Sequence, residues 1–361
     1  MIAAVFLIGC SRKDQRPENK TLPERIDSVF AATPDFSGVV LVAEKGRPVY
    51  YKAFGFANVE ANLKMDTSSV FELASLSKQF TATMIAMLRE NGKLDYDEPI
   101  EKYLPGLPYN GITIRHLLNH TSGLPDYQKL MDEHWDKSKV AGNGDVIASL
   151  KKFHPSSLFK PGEKYEYSNT GYILLGSIVE KISGKEFVEF CRDQIFHPLK
   201  MSATGIRTKA QKDSIKNLAL GYIYETEKKK FTRADSFPSS NYTIWLGKRV
   251  GPGRVSSSAS DLLKWDRALY TNKLISKETL NEIYAPAKLS NGELSNYGFG
   301  WMLSNNPKLG KVVYHTGDNP GYKTEIVRYI ETDKTVIILC NNAHEKFAEL
   351  VRAIQAQLEN E

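Results

Sequence analysis

The sequence predicts an α+β protein: one antiparallel sheet made from strands at both ends of the chain, flanked by terminal helices, with a mainly helical subdomain inserted between them. Three observations predict it. A Val- and Leu-rich segment, residues 38–44, is followed by a Lys45-Gly46 turn and a second strand over 48–56, which is a hairpin pattern. A second β region lies near the other end, at 311–314, 322–330 and 335–340, with Glu331-Thr332-Asp333 turning between the last two. Between these regions the apolar residues recur at helical rather than alternating spacing.

The elements follow in order. Residues 23–32 suit a short helix ahead of the hairpin. Phe80, Met84, Ile85 and Leu88 mark a long helix that stops at Asn91-Gly92, a pair suited to a left-handed cap. Residues 114–118, 172–182 and 187–195 are also helical in pattern. The chain closes on 345–358, where Phe347, Leu350, Val351, Ile354 and Leu358 form one apolar stripe. No internal repeat or low-complexity tract interrupts the 361 residues, which are enough for a large core.

The first residues are of a different kind. Met1 to Ile8 is apolar and leads into Leu7-Ile8-Gly9-Cys10, while residues 11–20 are polar. The stretch is too short to span a bilayer and lacks a basic leading region. It resembles the lipobox of bacterial lipoproteins, which implies lipidation at Cys10, a flexible tether over 11–22, and a folded domain over 23–361. The expected location is then the cell envelope, membrane-tethered through the lipid and facing the periplasm or exterior. The plain alternative is a frayed apolar terminus with a chance cysteine.

Composition narrows the function classes. Hydrophobic residues make up 41% and charged residues 25%, as in ordinary globular proteins, and the net charge is +6. No basic stripe with interleaved aromatics is present, which argues against nucleic acid. Lys228-Lys229-Lys230 follows acidic residues and suits a solvated loop. Cys191 and Cys340 sit in apolar segments and are expected to be buried free thiols. His116 and His120 have helical i, i+4 spacing, but no glutamate follows His116 and no third ligand is apparent, so structural histidines are expected. Neither a metal nor an organic cofactor is expected.

Three motifs could carry chemistry. Ser75-Leu76-Ser77-Lys78 opens the first long helix, and the i, i+3 spacing lets the Lys78 amine reach the Ser75 hydroxyl. A serine needs a base to become nucleophilic, and a desolvated lysine can serve. The same pattern at Ser149 and Ser157 does not begin an extended helix. Tyr167-Ser168-Asn169 offers a phenol that can relay a proton and an amide that can hold a substrate carbonyl. Tyr314-His315-Thr316-Gly317 ends a strand, with Asp318 to Gly321 as the turn. An edge strand there could bond an extended substrate, and Gly317 would permit its close approach.

The three motifs in this order resemble the signature elements of class C β-lactamases, DD-peptidases and related penicillin-binding-protein-like esterases. Other stretches agree, among them 71–81, 112–125, 195–201, 253–262 and 297–301. The resemblance implies the β-lactamase/transpeptidase-like fold and a serine hydrolase that cleaves an ester, amide or peptide bond through a Ser75 acyl-enzyme. It implies that Lys78 and Tyr167 share proton transfer, with the working base left open, and that Asn169 holds the substrate amide. His315, Thr316 and Gly317 would line the substrate, and the Ser75 and Asp318 N–H groups would form the oxyanion hole. The expected partner is a small-molecule or peptide substrate, and the chain is expected to be a monomer. One departure stands out: lactamases of this family commonly carry lysine where this chain has His315, and a histidine supplies less charge at neutral pH. A true β-lactamase or D-alanyl-D-alanine carboxypeptidase is the alternative, and a catalytically silent envelope-binding or sensor protein is the alternative of another class.

Overall fold

The computed structural model describes residues 20–359. Cys10 and most of the tether lie outside the described residues. The strands used below are β1 (Gly38–Glu44), β2 (Arg47–Phe54), β3 (Phe71–Glu72), β4 (Gly205–Ile206), β5 (Val255–Ser257), β6 (Met302–Asn306), β7 (Gly310–Asn319), β8 (Tyr322–Tyr329) and β9 (Lys334–Cys340). The helices are α1 (Leu22–Ala31), α2 (Ser77–Glu90), α3 (Asn169–Ser183), α4 (Ala259–Ala268) and α5 (Phe347–Leu358).

The main sheet has the order β6-β7-β8-β9-β1-β2 with every neighbour antiparallel. The first strand lies beside the last, with Gly38 opposite Cys340 and Glu44 opposite Lys334. Alternation explains why β1 is apolar from Val39 to Ala43. Val39 and Leu41 face one core while Val40 and Val42 face another, so both faces of the sheet are covered. One cover is the pair α1 and α5. All five apolar residues of the α5 stripe are buried there, each contributing roughly 1.5–3 kcal/mol. On the other face α4 brings Leu262 and Trp265 against the sheet, and the same core continues through Phe80 and Leu117 to Tyr172 and Ile178 of the helical subdomain.

A buried ionic cluster joins α4 to the sheet. Arg328 of β8 is fully buried and meets Asp266, which also accepts from Arg267 and, at 2.9 Å, from the Thr335 hydroxyl. Arg267 continues the chain of charges to Asp333 in the β8–β9 turn.

The structure departs from the sequence expectation in three places. First, β7 does not end at the His-Thr-Gly run. Its pairing with β8 continues to Asn319 opposite Tyr322, and the turn contracts to Pro320-Gly321, where Gly321 at φ +83° supplies the left-handed position. Second, the mainly helical middle carries short strands that the sequence did not announce: β3, β5 and β4 form a small sheet, and Tyr222–Glu225 pairs with Lys230–Arg233 around the exposed Lys228-Lys229 turn. Third, β6 adds an edge strand without a strong β pattern of its own. It reaches only Tyr314, so from His315 onward β7 pairs on its β8 side alone.

Candidate active site

The site begins with a strained turn. Leu73 leaves β3 tied to β5 through its N–H, which donates to the Val255 carbonyl at 2.8 Å. Its own carbonyl accepts from the Thr324 hydroxyl of β8 at 2.9 Å. Ala74 then adopts φ +49°, a conformation that costs a non-glycine residue about 1 kcal/mol. A 3₁₀ turn over Ala74–Leu76 presents Ser75, and α2 starts at Ser77. Gly317 explains how the turn fits against the sheet, because a Cβ there would lie 2.3 Å from the Leu73 carbonyl oxygen. The close approach expected at Gly317 is therefore made by the chain's own Ser75 turn.

Lys78 lies one turn further along and is fully buried. Its Nζ lies 3.1 Å from Ser75 Oγ, 2.8 Å from Asn169 Oδ1 and 2.9 Å from the Pro252 carbonyl oxygen. Burial, reinforced by the nearby Arg249 guanidinium, holds its amine well below the usual lysine range. In the neutral form its two N–H groups have two partners that can only accept, Asn169 Oδ1 and the Pro252 carbonyl. The nitrogen lone pair is then left for the Ser75 hydroxyl proton.

Tyr167 and Asn169 come from the start of α3. Ser168 is the N-cap, its hydroxyl accepting from the Gly171 N–H, so Asn169 is the first helical residue and keeps its amide for the site. The Tyr167 phenol reaches Ser75, and burial raises it above the ordinary tyrosine value, so it stays protonated at neutral pH. The residue remains 36% exposed, and its ring centre lies 4.8 Å from Lys78 Nζ. Beside Tyr167 and Asn169 opens a pocket of about 170 Å³ lined in part by Gly123, Leu124, Asp126, Leu158 and Phe159.

His120 and His315 form the layer beneath. His120 Nδ1 accepts from the Ser168 N–H at 3.1 Å, and its ring lies 4.3 Å from that of Tyr167. His116 caps its own helix through Thr113. His315 is 1% exposed; its Nδ1 donates to the Thr316 carbonyl at 2.6 Å, and its Nε2 therefore accepts from the Tyr297 hydroxyl at 2.9 Å. Burial and the neighbouring Lys78 push it down to about 3. The imidazole is thus neutral throughout the physiological range, and the cationic character that a titrating histidine would gain on mild acidification does not arise here. Thr316 and Asp318, both exposed, follow it on the one-sided stretch of β7, and partial desolvation raises the Asp318 carboxyl above its ordinary value.

The structure thus brings Ser75, Lys78, Tyr167 and Asn169 into one cluster, with Gly317 packed against its turn and His315 under its floor. Ser149 and Ser157 are elsewhere, the first buried within the Asn143–Phe153 helix and the second on an exposed loop. Tyr297, Pro252 and Arg249 were not read from the sequence as site residues. The 297–301 stretch was visible only as part of a family pattern, and Arg249 lies in no motif.

Burying His315 neutral has a cost that appears in acid. An unfolded histidine titrates near 6.5, so between about 6.5 and about 3 the unfolded chain binds a proton that the native site refuses. Stability is unaffected above this window and falls as pH drops through it. His120 is lowered in the same direction. His315→Asn should therefore show an acid loss between pH 7 and pH 4.5 smaller than wild type by about 2–3 kcal/mol. Urea midpoints at the two pH values measure it, and equal losses in both proteins would contradict the buried neutral imidazole.

A serine held by a desolvated lysine, with a phenol and an amide on the far side and an open strand edge beside it, is the centre of a serine hydrolase. Comparison with known proteins makes the class more specific. The family profile described as β-lactamase matches residues 26–360, and the chain belongs to that family. It is 43% identical over 307 residues to penicillin-binding protein 4* of Bacillus subtilis (strain 168), covering 85% of this chain and 68% of that one. Among solved structures, the octameric penicillin-binding protein homologue from Pyrococcus abyssi superposes with a TM-score of 0.80 at 29% identity, over 93% of this chain and 77% of that one. The D-amino acid amidase from Ochrobactrum anthropi SV3 superposes with a TM-score of 0.76 at 25% identity, over 94% of this chain and 99% of the amidase. The fold and the hydrolase class agree with what the three motifs imply.

Proposed function

We propose that the protein cleaves an amide, ester or peptide bond through an acyl-enzyme on Ser75, with acyl donors of the kind its relatives' names denote, D-amino-acid amides and penicillin-like compounds. The observation that carries this is the buried Lys78 amine, 3.1 Å from Ser75 Oγ with its N–H groups already engaged. In this reading neutral Lys78 takes the Ser75 proton as Oγ attacks the acyl carbon. The tetrahedral oxyanion is met by the backbone N–H groups of Ser75 and Asp318. Tyr167, whose phenol keeps its proton, donates to the leaving nitrogen or oxygen, and Lys78 is the channel that restores that proton. Asn169, with Oδ1 turned to Lys78, offers its NH₂ group to the substrate. Water then attacks the ester carbon and the same groups return Ser75 to its free state.

Because the lysine must be neutral to act, activity should rise with pH along a limb that lies below the usual lysine range. Labelling with a fluorophosphonate, followed by peptide mapping, tests the assignment. The label should be found on Ser75 and be absent in Ser75→Ala. A label on Ser149 or Ser157 would refute it.

The proposal extends to location. The Leu7-Ile8-Gly9-Cys10 run supports a lipid anchor at Cys10 and an enzyme tethered in the cell envelope. Mass spectrometry of the native N-terminus tests this, and an unprocessed soluble form beginning at Met1 would count against it. Among the described residues no helix is long and apolar enough to cross a membrane.

A further inference from the structure

A second cavity lies behind the segment that braces Lys78. It measures about 380 Å³, and none of Ser75, Lys78, Tyr167 and Asn169 lines it. One wall is basic. Arg254, two residues after Pro252, stands at φ +79°, a left-handed backbone that a residue with a side chain adopts only under strain. Its guanidinium reaches across to a neighbouring segment, where Nη2 donates to the Arg207 carbonyl at 2.7 Å. The Arg207 guanidinium packs against Gly205, where a Cβ would lie 3.1 Å from Cζ. It donates to Ser256 Oγ at 2.7 Å and to the Ala203 carbonyl at 3.1 Å. The exposed Lys248 lines the same cavity.

The opposite wall is acidic, with Glu180 of α3 and Glu186. Glu180 Oε1 accepts from the Phe187 N–H at 2.9 Å, and burial raises its carboxyl above the ordinary glutamate value. Charges gathered in one cavity ordinarily close into ion pairs, yet among the described residues neither glutamate comes within ion-pair distance of Arg207, Arg254 or Lys248. Both guanidiniums are held back by neutral acceptors, and Glu180 by a backbone N–H. Glu72, whose charge reaches both arginines, is itself paired with Lys212. Burial opposes the charge of both arginines, and the Nε of each has no protein acceptor among the described residues. The cavity thus keeps three cations and two carboxylates apart across an open space, a costly arrangement for groups partly removed from water.

We propose that this cavity is a second binding site, for an amino acid or short peptide in its zwitterionic form, with the carboxylate on Arg207 and Arg254 and the ammonium on Glu180 and Glu186. A carboxylate matches the planar fork of a guanidinium, and an ammonium complements a pair of carboxylates. A simple anion would be repelled by the acidic wall and a simple cation by the basic one, so only a ligand with both charges completes the two walls together. The volume admits a molecule of that size. The occupant would rest against Val250, in the same segment whose Pro252 carbonyl holds Lys78.

Calorimetric titration of the full chain with glycine, glycylglycine and triglycine tests this. The best of the three should bind about tenfold tighter than its N-acetyl form, which keeps only the carboxylate, and than its amide, which keeps only the ammonium. Arg207→Gln and Lys248→Gln should weaken the zwitterion and the N-acetyl form but not the amide. Glu180→Gln and Glu186→Gln should weaken the zwitterion and the amide but not the N-acetyl form. Lys248 and Glu186 are exposed, so their variants decide the matter if the other two fail to fold. Blocking Ser75 with a fluorophosphonate should leave the binding intact. Three results overturn the proposal: no zwitterion bound at millimolar concentration, binding indifferent to the four substitutions or to removal of either charge, or binding abolished by the fluorophosphonate. Failure of the Ser75 reading looks different, because the label would then be missing from Ser75 while the binding and its dependence on the two walls persist.

Discussion

Ser75→Ala is expected to lower kcat/KM by about 10⁴-fold or more and Lys78→Met by about 10³–10⁴-fold, while the double variant should be no worse than the poorer single one. The reason is that the two side chains act as one unit. Ser75 Oγ is a poor nucleophile until its proton has somewhere to go, and the Lys78 nitrogen at 3.1 Å is the acceptor positioned for it. Removing either partner leaves the other without a task, so the losses should not multiply. Methionine matches the length of the lysine stem and keeps the buried space filled. Asn169 Oδ1 and the Pro252 carbonyl would lose their donor, so folding should be checked alongside by thermal denaturation. Steady-state kinetics on one activated ester and one amide measure the cycle. A double variant whose loss equals the product of the singles would show that the two residues contribute independently, and the paired mechanism would be wrong.

Asp266→Ala is expected to destabilise the protein by about 3–5 kcal/mol, the largest stability effect anticipated for a residue outside the site. The carboxylate is fully buried and receives Arg328, Arg267 and the Thr335 hydroxyl. Deleting it strands the Arg328 guanidinium in the core between α4 and β8, where water cannot compensate. Replacing both members of the pair, Asp266→Leu with Arg328→Met, should recover most of the loss, since two apolar side chains remove the stranded charge along with the pair. Equilibrium urea unfolding reads both values. A loss below about 1 kcal/mol in the single variant would mean that Arg328 finds other partners or reaches water. Since Asp266 touches none of the Ser75 cluster, the folded fraction should keep its esterase rate.

The outer architecture was legible because periodicity survives in a linear string. The runs 39–43 and 336–340 are apolar throughout since both faces of the sheet are covered, and the α5 stripe keeps its 3.6-residue repeat. Ser75 and Lys78 were legible for the same reason, as three residues on one helical turn define a local distance. Short strands such as β4 and β5 were not, because two- or three-residue pairings carry no periodic signal. Nor was the true end of β7, where pairing with β8 overrides the turn character of Asp318-Asn319.

What the sequence determined by itself is the set of local relations: a serine and a lysine one turn apart, a tyrosine two residues before an asparagine at a helix start, and a hairpin at each end of the fold. Tertiary structure alone decided the electrical state of those groups. Lys78 is a candidate base because it is buried against Pro252 and Arg249, residues more than 170 positions away. His315 is neutral because it is enclosed beneath Tyr297. Arg249, which belongs to no motif, is buried near Lys78 with its Nη1 unpartnered among the described residues. A residue's type is written in the sequence, but its protonation depends on desolvation and on charges brought in from distant segments, and these exist only once the chain has folded.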